Sequence, residues 1–199
     1  MNVVSFYTTI APVYAQGQAL LPVWRRYTEA VLPWVTLDSV VLEIGPGPGV
    51  LLEQLALRGK AAIGLDLTPG MLAQAQARLR AKGMPVNLIN GDATRIPLAD
   101  GCMDVIVTTF AFSAIPDGAA AMREMARVLR PGGILALVDA GVPSSGNPVG
   151  VGLARLWELF DDRMRDEAAL MRQAGLTVVA RREFGAFDSI RLVVGQRTP

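Results

Sequence analysis

Three carboxylates and three glycines carry most of the chemistry this sequence can offer. In "VLEIGPGPGV" (41–50) an apolar run ends at Glu43, and Gly45, Gly47 and Gly49 follow at every second position. Asp66 ends the run "AAIGLD" (61–66), and Asp92 follows "PVNLIN" (85–90) within "NGDA". Glycines in a loop permit backbone angles closed to other residues and remove side chains that would hold a ligand away. Carboxylates beside such a loop disfavour an anion, because neighbouring like charges cost free energy. They suit a ligand that brings positive charge together with hydroxyl and amino donors. Pro46 and Pro48 stiffen the loop and delete two backbone donors that a pyrophosphate would use. The dinucleotide pattern G-x-G-x-x-G fails as well, since its third glycine would fall on Val50.

Other chemistries lack their residues. The chain has no histidine, which removes Ser-His-Asp triads, Cys-His pairs and the usual zinc hydrolases together. Cys102 is the only cysteine, so an internal disulfide or a cysteine-rich metal site is not expected. Beside Gly101 and before an apolar run, it reads as a small packing residue. The net charge is +1, with 19 basic residues dispersed among 18 acidic ones. That leaves no basic stripe for a phosphate backbone, and nucleic acid is not an expected partner. In 151–183 six arginines are balanced by six carboxylates, as on a solvated helix face.

The elements that must position these groups alternate along the chain. "SVVLEI" (39–44), "AAIGLD" (61–66), "PVNLIN" (85–90), "MDVIVTTF" (103–110) and "GILALVD" (133–139) read as strands covered on both faces. Helices are expected between them. "GVLLEQLALRG" (49–59) turns Leu51, Leu52 and Leu55 inward and stops at Gly59. "TPGMLAQAQARLRAKG" (68–83) starts with Thr68 as cap and Pro69 at the first helical position. "DGAAAMREMARVLRPGG" (117–133) is capped by Asp117, puts Met122, Met125, Val128 and Leu129 on one face, and ends at Pro-Gly-Gly. Such alternation implies an α/β, Rossmann-like, doubly wound and mostly parallel sheet of seven strands. The last two strands, 176–185 and 189–197, follow a helical stretch over 150–174 and form an antiparallel hairpin at one sheet edge. In this sheet the tips bearing Glu43, Asp66 and Asp92 stand side by side over one crevice. A ligand with an ammonium, a sulfonium, ribose hydroxyls and an adenine amine fits there, and S-adenosylmethionine has those groups.

Over 40–139 the chain resembles the class I S-adenosylmethionine-dependent methyltransferases. The nearest likeness is to the ubiquinone and menaquinone biosynthesis C-methyltransferases (methyltransferase type 11). The matching stretches are "VLEIGPGPG", "GLDLTPGMLAQAQARL", "NGDATRIPLADGCMDVIVTTFAF" and "MREMARVLRPGGILALVD". The resemblance implies S-adenosylmethionine as cofactor and a role for each matching residue. Gly45, Gly47 and the loop backbone would lie along its methionine part, with Glu43 near the ammonium. Asp66 would accept from the ribose hydroxyls, and Leu67 and Met71 would flank the adenine. Asp92 and the Ala93 amide would meet the adenine edge, and Thr109 would face the methionine part. Tyr14, in "FYTTIAPVYAQG", resembles a lid tyrosine over the cofactor.

The acceptor is less legible. With no histidine, a base would be a carboxylate, a tyrosine or the substrate itself. Asp139 at the fifth strand's end, Tyr7 and Tyr14 are the candidates, and Asp139 reads equally as a loop cap. Substrate contacts are expected from Trp24, Tyr27 and Trp34 in the first 34 residues, and from "AGVPSSGNPVGVGLARLWELF" (140–160). There Leu153, Leu156, Trp157 and Phe160 share one helical face, fit for a pocket, a lipid contact or plain core. The expected acceptor is a small apolar molecule, such as a quinone or a lipid precursor. The stretch "TTFAF" (108–112) lacks the "NPPY"-type tetrapeptide of DNA and tRNA methylating relatives.

The expected layout is one domain: an N-terminal helical lid (1–34), a cofactor core (35–140), a substrate-side helical insert (141–175) and the hairpin (176–199). No basic and apolar leader opens the chain and no apolar run reaches about 18 residues, so a cytoplasmic protein is expected. Peripheral membrane contact and oligomeric state stay open. Two rival readings remain: a nicotinamide-dependent Rossmann oxidoreductase, and a nucleotide-binding protein without catalysis.

Overall fold

A computed structural model describes residues 22–158 and 163–198. The five apolar runs become strands β1 (Val40–Ile44), β2 (Ala61–Asp66), β3 (Leu88–Asn90), β4 (Met103–Thr109) and β5 (Leu129–Ala140). Strands β6 (Leu176–Phe184) and β7 (Ile190–Arg197) complete a seven-stranded sheet of order β3-β2-β1-β4-β5-β7-β6. Neighbours from β3 to β5 are parallel, and β7 is antiparallel to both β5 and β6. The chain runs outward from β1 to β3, then returns to place β4 against the other side of β1. That reversal opens a crevice beyond the carboxyl ends of β1 and β4.

The helices among the described residues are α1 (Pro22–Thr28), a 3₁₀ turn (Glu29–Trp34), α2 (Val50–Arg58), α3 (Pro69–Ala81), α4 (Gly118–Val128), α5 (Pro148–Glu158) and α6 (Glu167–Gln173). One core layer joins Leu42, Ile44 and Ile106 of the sheet to Met122 and Met125 of α4 and Met171 of α6. The other joins Val41, Val105 and Val107 to Leu51, Leu52 and Leu55 of α2 and Val31 of the 3₁₀ turn. Apolar residues alternate between two buried layers, and so the strands read as unbroken apolar runs.

Three elements differ from expectation. Helix α4 ends at Val128, five residues before Gly133, and β5 begins at Leu129. The register jumps from Met103↔Leu129 to Val105↔Ile134, so 130–133 bulge out of the sheet through Pro131 and through Gly132 at φ 76. Arg130 in that bulge pairs with Asp104, whose other oxygen accepts from the Val40 amide at 2.7 Å. The hairpin enters the sheet by its second strand, β7, and leaves β6 at the edge. The helical stretch 150–174 is split into α5 and α6, each capped by its own side chain. Asn147 accepts from the Val149 amide at 3.0 Å, and Asp166 from the Ala169 amide at 2.9 Å. Cys102 is exposed, its thiol donating to the Ala99 carbonyl, and does not serve as core packing.

A buried ion pair ties the carboxyl-terminal half together. Arg191 on β7 donates to Glu167 of α6 at 2.8 Å and to the Val142 carbonyl at 2.7 Å, and both side chains are nearly inaccessible. Removing one partner strands the other's charge in the interior. Arg191→Ala is expected to lower unfolding free energy by about 3–5 kcal/mol in denaturant titrations. Replacing both Arg191 and Glu167 with leucine should recover most of that loss. A single-variant loss below about 1 kcal/mol, the level of an exposed pair, would contradict the assignment.

Candidate active site

The loop between β1 and α2 adopts left-handed backbone at all three of its alternating glycines, with φ 69 at Gly45, 53 at Gly47 and 78 at Gly49. Two of them also have no room for a side chain. A Cβ on Gly45 would lie 2.4 Å from the Ala111 Cβ, and one on Gly49 would lie 2.9 Å from the Ala75 Cβ. Gly47 differs, for no described residue lies within 4 Å of its Cβ position. Its bare backbone faces a cavity of about 460 Å³.

Side chains at three neighbouring strand ends reach that cavity. Glu43, Asp66 and Asp92 all line it, along with Asp117 at the start of α4. Glu43 is 1% exposed, and its Oε2 has no hydrogen-bond partner among the described residues. Burial, and then the charge of Asp66, push its carboxyl up to about 8. Asp66 accepts from the Thr68 amide at 2.8 Å and from the Gly47 amide at 3.2 Å. Burial raises its pKa, and those two amides oppose the rise. Asp92 is exposed and accepts from the Thr94 amide at 2.8 Å. Arg25 on α1 is the one basic side chain lining the cavity among the described residues.

The remaining expected positions gather around the same space. Gly45, Gly47, Leu67, Met71, Ala93 and Thr109 all line it, with Leu67 half exposed and Met71 buried. Tyr14 and Tyr7 lie outside the described residues. Thr68 occupies the cap position of α3 without a side-chain capping bond, and Asp117 caps α4 by accepting from the Ala120 amide at 2.9 Å.

Two sets of expected acceptor-side residues are absent from the cavity lining among the described residues. Asp139 does not reach the cavity; it is 2% exposed and accepts from the Ser113 amide at 2.9 Å, the Ser113 hydroxyl at 3.0 Å and the Ala140 amide at 2.8 Å. It fastens the segment after β4 to the end of β5, so the loop-capping reading holds. None of the described residues of 140–160 lines the cavity either. The side chains of Leu156, Trp157 and Phe160 fall outside the described set. Gly150 of α5 packs so tightly on the Phe187 carbonyl that a Cβ would lie 2.3 Å from it.

The remaining wall of the cavity comes from α1 and from the segment after β4. Trp24 lines the cavity with its ring centroid 4.2 Å from that of Phe110. Tyr27 packs behind Trp24 at 6.2 Å and against Phe184 at 5.7 Å, and Trp34 is half buried. Phe110 holds left-handed backbone at φ 52, a strain of about 1–3 kcal/mol for a residue with a Cβ. Arg165 braces the far wall by donating to the carbonyls of Phe112 at 2.9 Å, Ile115 at 2.5 Å and Pro116 at 3.1 Å. Arg25 and Phe110 were not anticipated. Arg25 sits in an ordinary basic helix, and left-handed backbone at a phenylalanine leaves no mark in sequence.

Residues 42–137 match the family described as "Methyltransferase domain". This stretch belongs to that family. The methyltransferase domain is similar to the demethylmenaquinone methyltransferase of Mycolicibacterium vanbaalenii, 38% identical over 122 residues, or 61% of this chain and 50% of that protein. The protein of the same name from Mycobacterium tuberculosis is 32% identical over 149 residues, 72% of this chain and 61% of the relative. The chain thus spans about half the length of the first of these relatives. Among solved structures, the N-methyltransferase NodS from Bradyrhizobium japonicum, in complex with S-adenosyl-L-homocysteine, superposes with TM-score 0.74 at 20% identity, covering 92% of this chain and 91% of NodS. The [4+2]-cyclase SpnF superposes with TM-score 0.80 at 16% identity, covering 98% and 95%.

The methyltransferase domain's Glu43 gives a pH signature. Folded protein keeps a proton on Glu43 that unfolded protein releases. The resulting stabilisation is complete below about pH 4.5 and is lost as pH rises through about 8. Asp66 acts in the same direction. Denaturant-measured stability of the ligand-free protein is expected to fall between pH 5 and 8, and Glu43→Gln to flatten the decline. A wild-type profile that is level across that window would contradict the buried, unpartnered carboxylate.

Proposed function

We propose that the protein transfers a methyl group from S-adenosylmethionine to a small apolar acceptor. The observation that carries the reading is the lining of a single cavity by Glu43, Asp66 and Asp92 beside the bare backbone of Gly47. A cationic nucleoside fits such a surface, because buried carboxylates are relieved by positive charge and by hydrogen-bond donors. The orphaned Glu43 Oε2 suits the ammonium end, and the open space over Gly47 suits the methionine chain lying against backbone. Asp66, already pre-set by two amides, would accept from the ribose hydroxyls, with Leu67 and Met71 flanking the base and Asp92 and Ala93 at its edge. Thr109 would face the methionine part. Arg25 would meet the cofactor's carboxylate.

When bound, S-adenosylmethionine supplies an electrophilic methyl on a sulfonium. The residues of this chain then orient and enclose. Strand ends and glycine loop hold the cofactor; Trp24, Phe110 and the segment 111–117 shape the remaining space and exclude water. Alignment and desolvation of this kind supply much of the rate of an in-line displacement. No described basic group other than Arg25 lines the cavity, so an acceptor needing deprotonation would use a carboxylate or its own acidity. An apolar acceptor agrees with the aromatic and aliphatic residues on that side and with the demethylmenaquinone for which the relatives are named. Among the described residues, no helix is long and apolar enough to cross a membrane.

SpnF shares the fold as a cyclase, so the fold alone does not fix the chemistry, and turnover has to be measured. Calorimetry with S-adenosylmethionine, S-adenosylhomocysteine and NADH is the direct test. Both sulfur nucleosides are expected to bind and NADH not to compete. Asp66→Ala should weaken S-adenosylmethionine by about 1.5–3 kcal/mol, the range for a charge-assisted acceptor. An unchanged dissociation constant would remove Asp66 from the site, and tighter NADH binding would favour an oxidoreductase.

A further inference from the structure

The glycine loop is held differently at its ends and in its middle. At one end the Gly45 amide donates to the Leu65 carbonyl at 2.8 Å, and Gly45 abuts Ala111. At the other, Gly49 abuts Ala75 of α3, and its carbonyl accepts from the Glu53 amide at 3.1 Å. The middle pair, Gly47 and Pro48, lines the cavity and is tied down by side chains. Asp66 accepts from the Gly47 amide at 3.2 Å, and Arg78 of α3 donates through Nε to the Pro48 carbonyl at 3.1 Å. Proline has a fixed φ and no amide hydrogen, so ψ is the one soft torsion left at residue 48. A bond to the Pro48 carbonyl sets it. Arg78 is held in turn, being half-buried with Nη1 3.5 Å from Oε2 of Glu53, in the first turn of α2. Glu53 also accepts from Lys82 at 2.7 Å. One guanidinium thus joins α3, α2 and the loop that precedes α2, without lining the cavity itself.

Resting on the cofactor reading above, we infer that Arg78 is a positioning residue for the methionine end of S-adenosylmethionine, its bond to the Pro48 carbonyl orienting the backbone on which that end lies. Asp66 does not suffice for this, because on the same reading it also accepts from the ribose hydroxyls. Arg78 stands outside the lining, so ligand binding does not compete for its bond to the loop. A bond from a guanidinium is charge-assisted and stronger than one between neutral groups. A site whose supporting bonds are loosened loses affinity without losing any contact residue. The plain alternative is that Arg78 only braces α3 against α2 through Glu53. The two roles differ in which part of the ligand feels the loss. A brace affects the whole site alike. A loop anchor affects the methionine end and spares the nucleoside end, where Leu67, Met71, Asp92 and Ala93 line the cavity.

The test compares S-adenosylhomocysteine with adenosine, which lacks the amino-acid arm, by calorimetry on the full chain at pH 7. Arg78→Met is expected to weaken S-adenosylhomocysteine about ten-fold, in the range for a hydrogen bond to a charged group, and to leave adenosine within about two-fold. Retained adenosine binding also certifies that the variant folds. Arg78→Lys keeps a donor for the carbonyl and should recover most of the affinity. Glu53→Gln removes the ion pair but leaves an oxygen to accept from Arg78, and both ligands should stay within about two-fold. Unchanged S-adenosylhomocysteine affinity in Arg78→Met overturns the inference, as does an equal loss for adenosine. So does an equal loss in Glu53→Gln, which would mark the brace, or a lysine variant no better than methionine. Failure of S-adenosylhomocysteine to bind wild-type protein would instead overturn the cofactor reading beneath it.

Discussion

Two carboxylates buried side by side at the tips of adjacent parallel strands are the constraint on which the site depends. Among the described residues, Glu43 ends in an oxygen with no partner, and Asp66 is steadied by two backbone amides and by the Thr68 side chain. Burial leaves Glu43 little solvation for a charge and Asp66 adds a like charge beside it, so the ligand-free protein holds its carboxyl at about 8. A buried acid of this kind weakens the fold at neutral pH relative to an apolar residue. It makes sense where a ligand supplies the missing positive charge and donors. The left-handed glycine loop completes the arrangement: Gly45 and Gly49 let the loop pack against Ala111 and Ala75, and Gly47 leaves its backbone open to the cavity.

The rest of the molecule serves to hold these tips still. β1 lies between β2 and β4, covered on both faces, so its end cannot move without disturbing two core layers. Asp139 and Arg165, which do not touch the cavity's acidic end, fix the segment after β4 that forms the opposite wall. Arg191 and Glu167 link α6 to β7, and Arg191 also donates to the Arg165 carbonyl at 3.4 Å. The carboxyl-terminal hairpin thereby braces a wall far from its own strands.

What could be read from sequence was what neighbouring residues determine. Apolar runs of six to eight residues, Asp117 before α4 and glycines at every second position are local signals, and they placed the strands, the caps and the acidic tips. The end of α4 was misjudged because Pro131, Gly132 and Gly133 look like the helix stop, yet Leu129 already pairs with Met103. β7 entering before β6 is a matter of long-range pairing, invisible in hairpin spacing. Trp24 was legible as an aromatic expected to contact substrate, whereas Phe110 acquires its position from a strained backbone, and Arg25 from the packing of α1. The apolar face of 140–160 suggested a pocket, but the described part of that segment packs against the turn at 186–188 instead.

If positive charge in the ligand relieves Glu43, binding must carry a proton with it. Titrating S-adenosylmethionine into the protein at pH 7 in buffers of different ionisation enthalpy counts that proton. Release of about one proton per ligand, abolished in Glu43→Gln, is expected from a carboxyl that is neutral when free and charged when bound. Tight binding with no net proton exchange would contradict the pairing of the buried acid with a cationic cofactor.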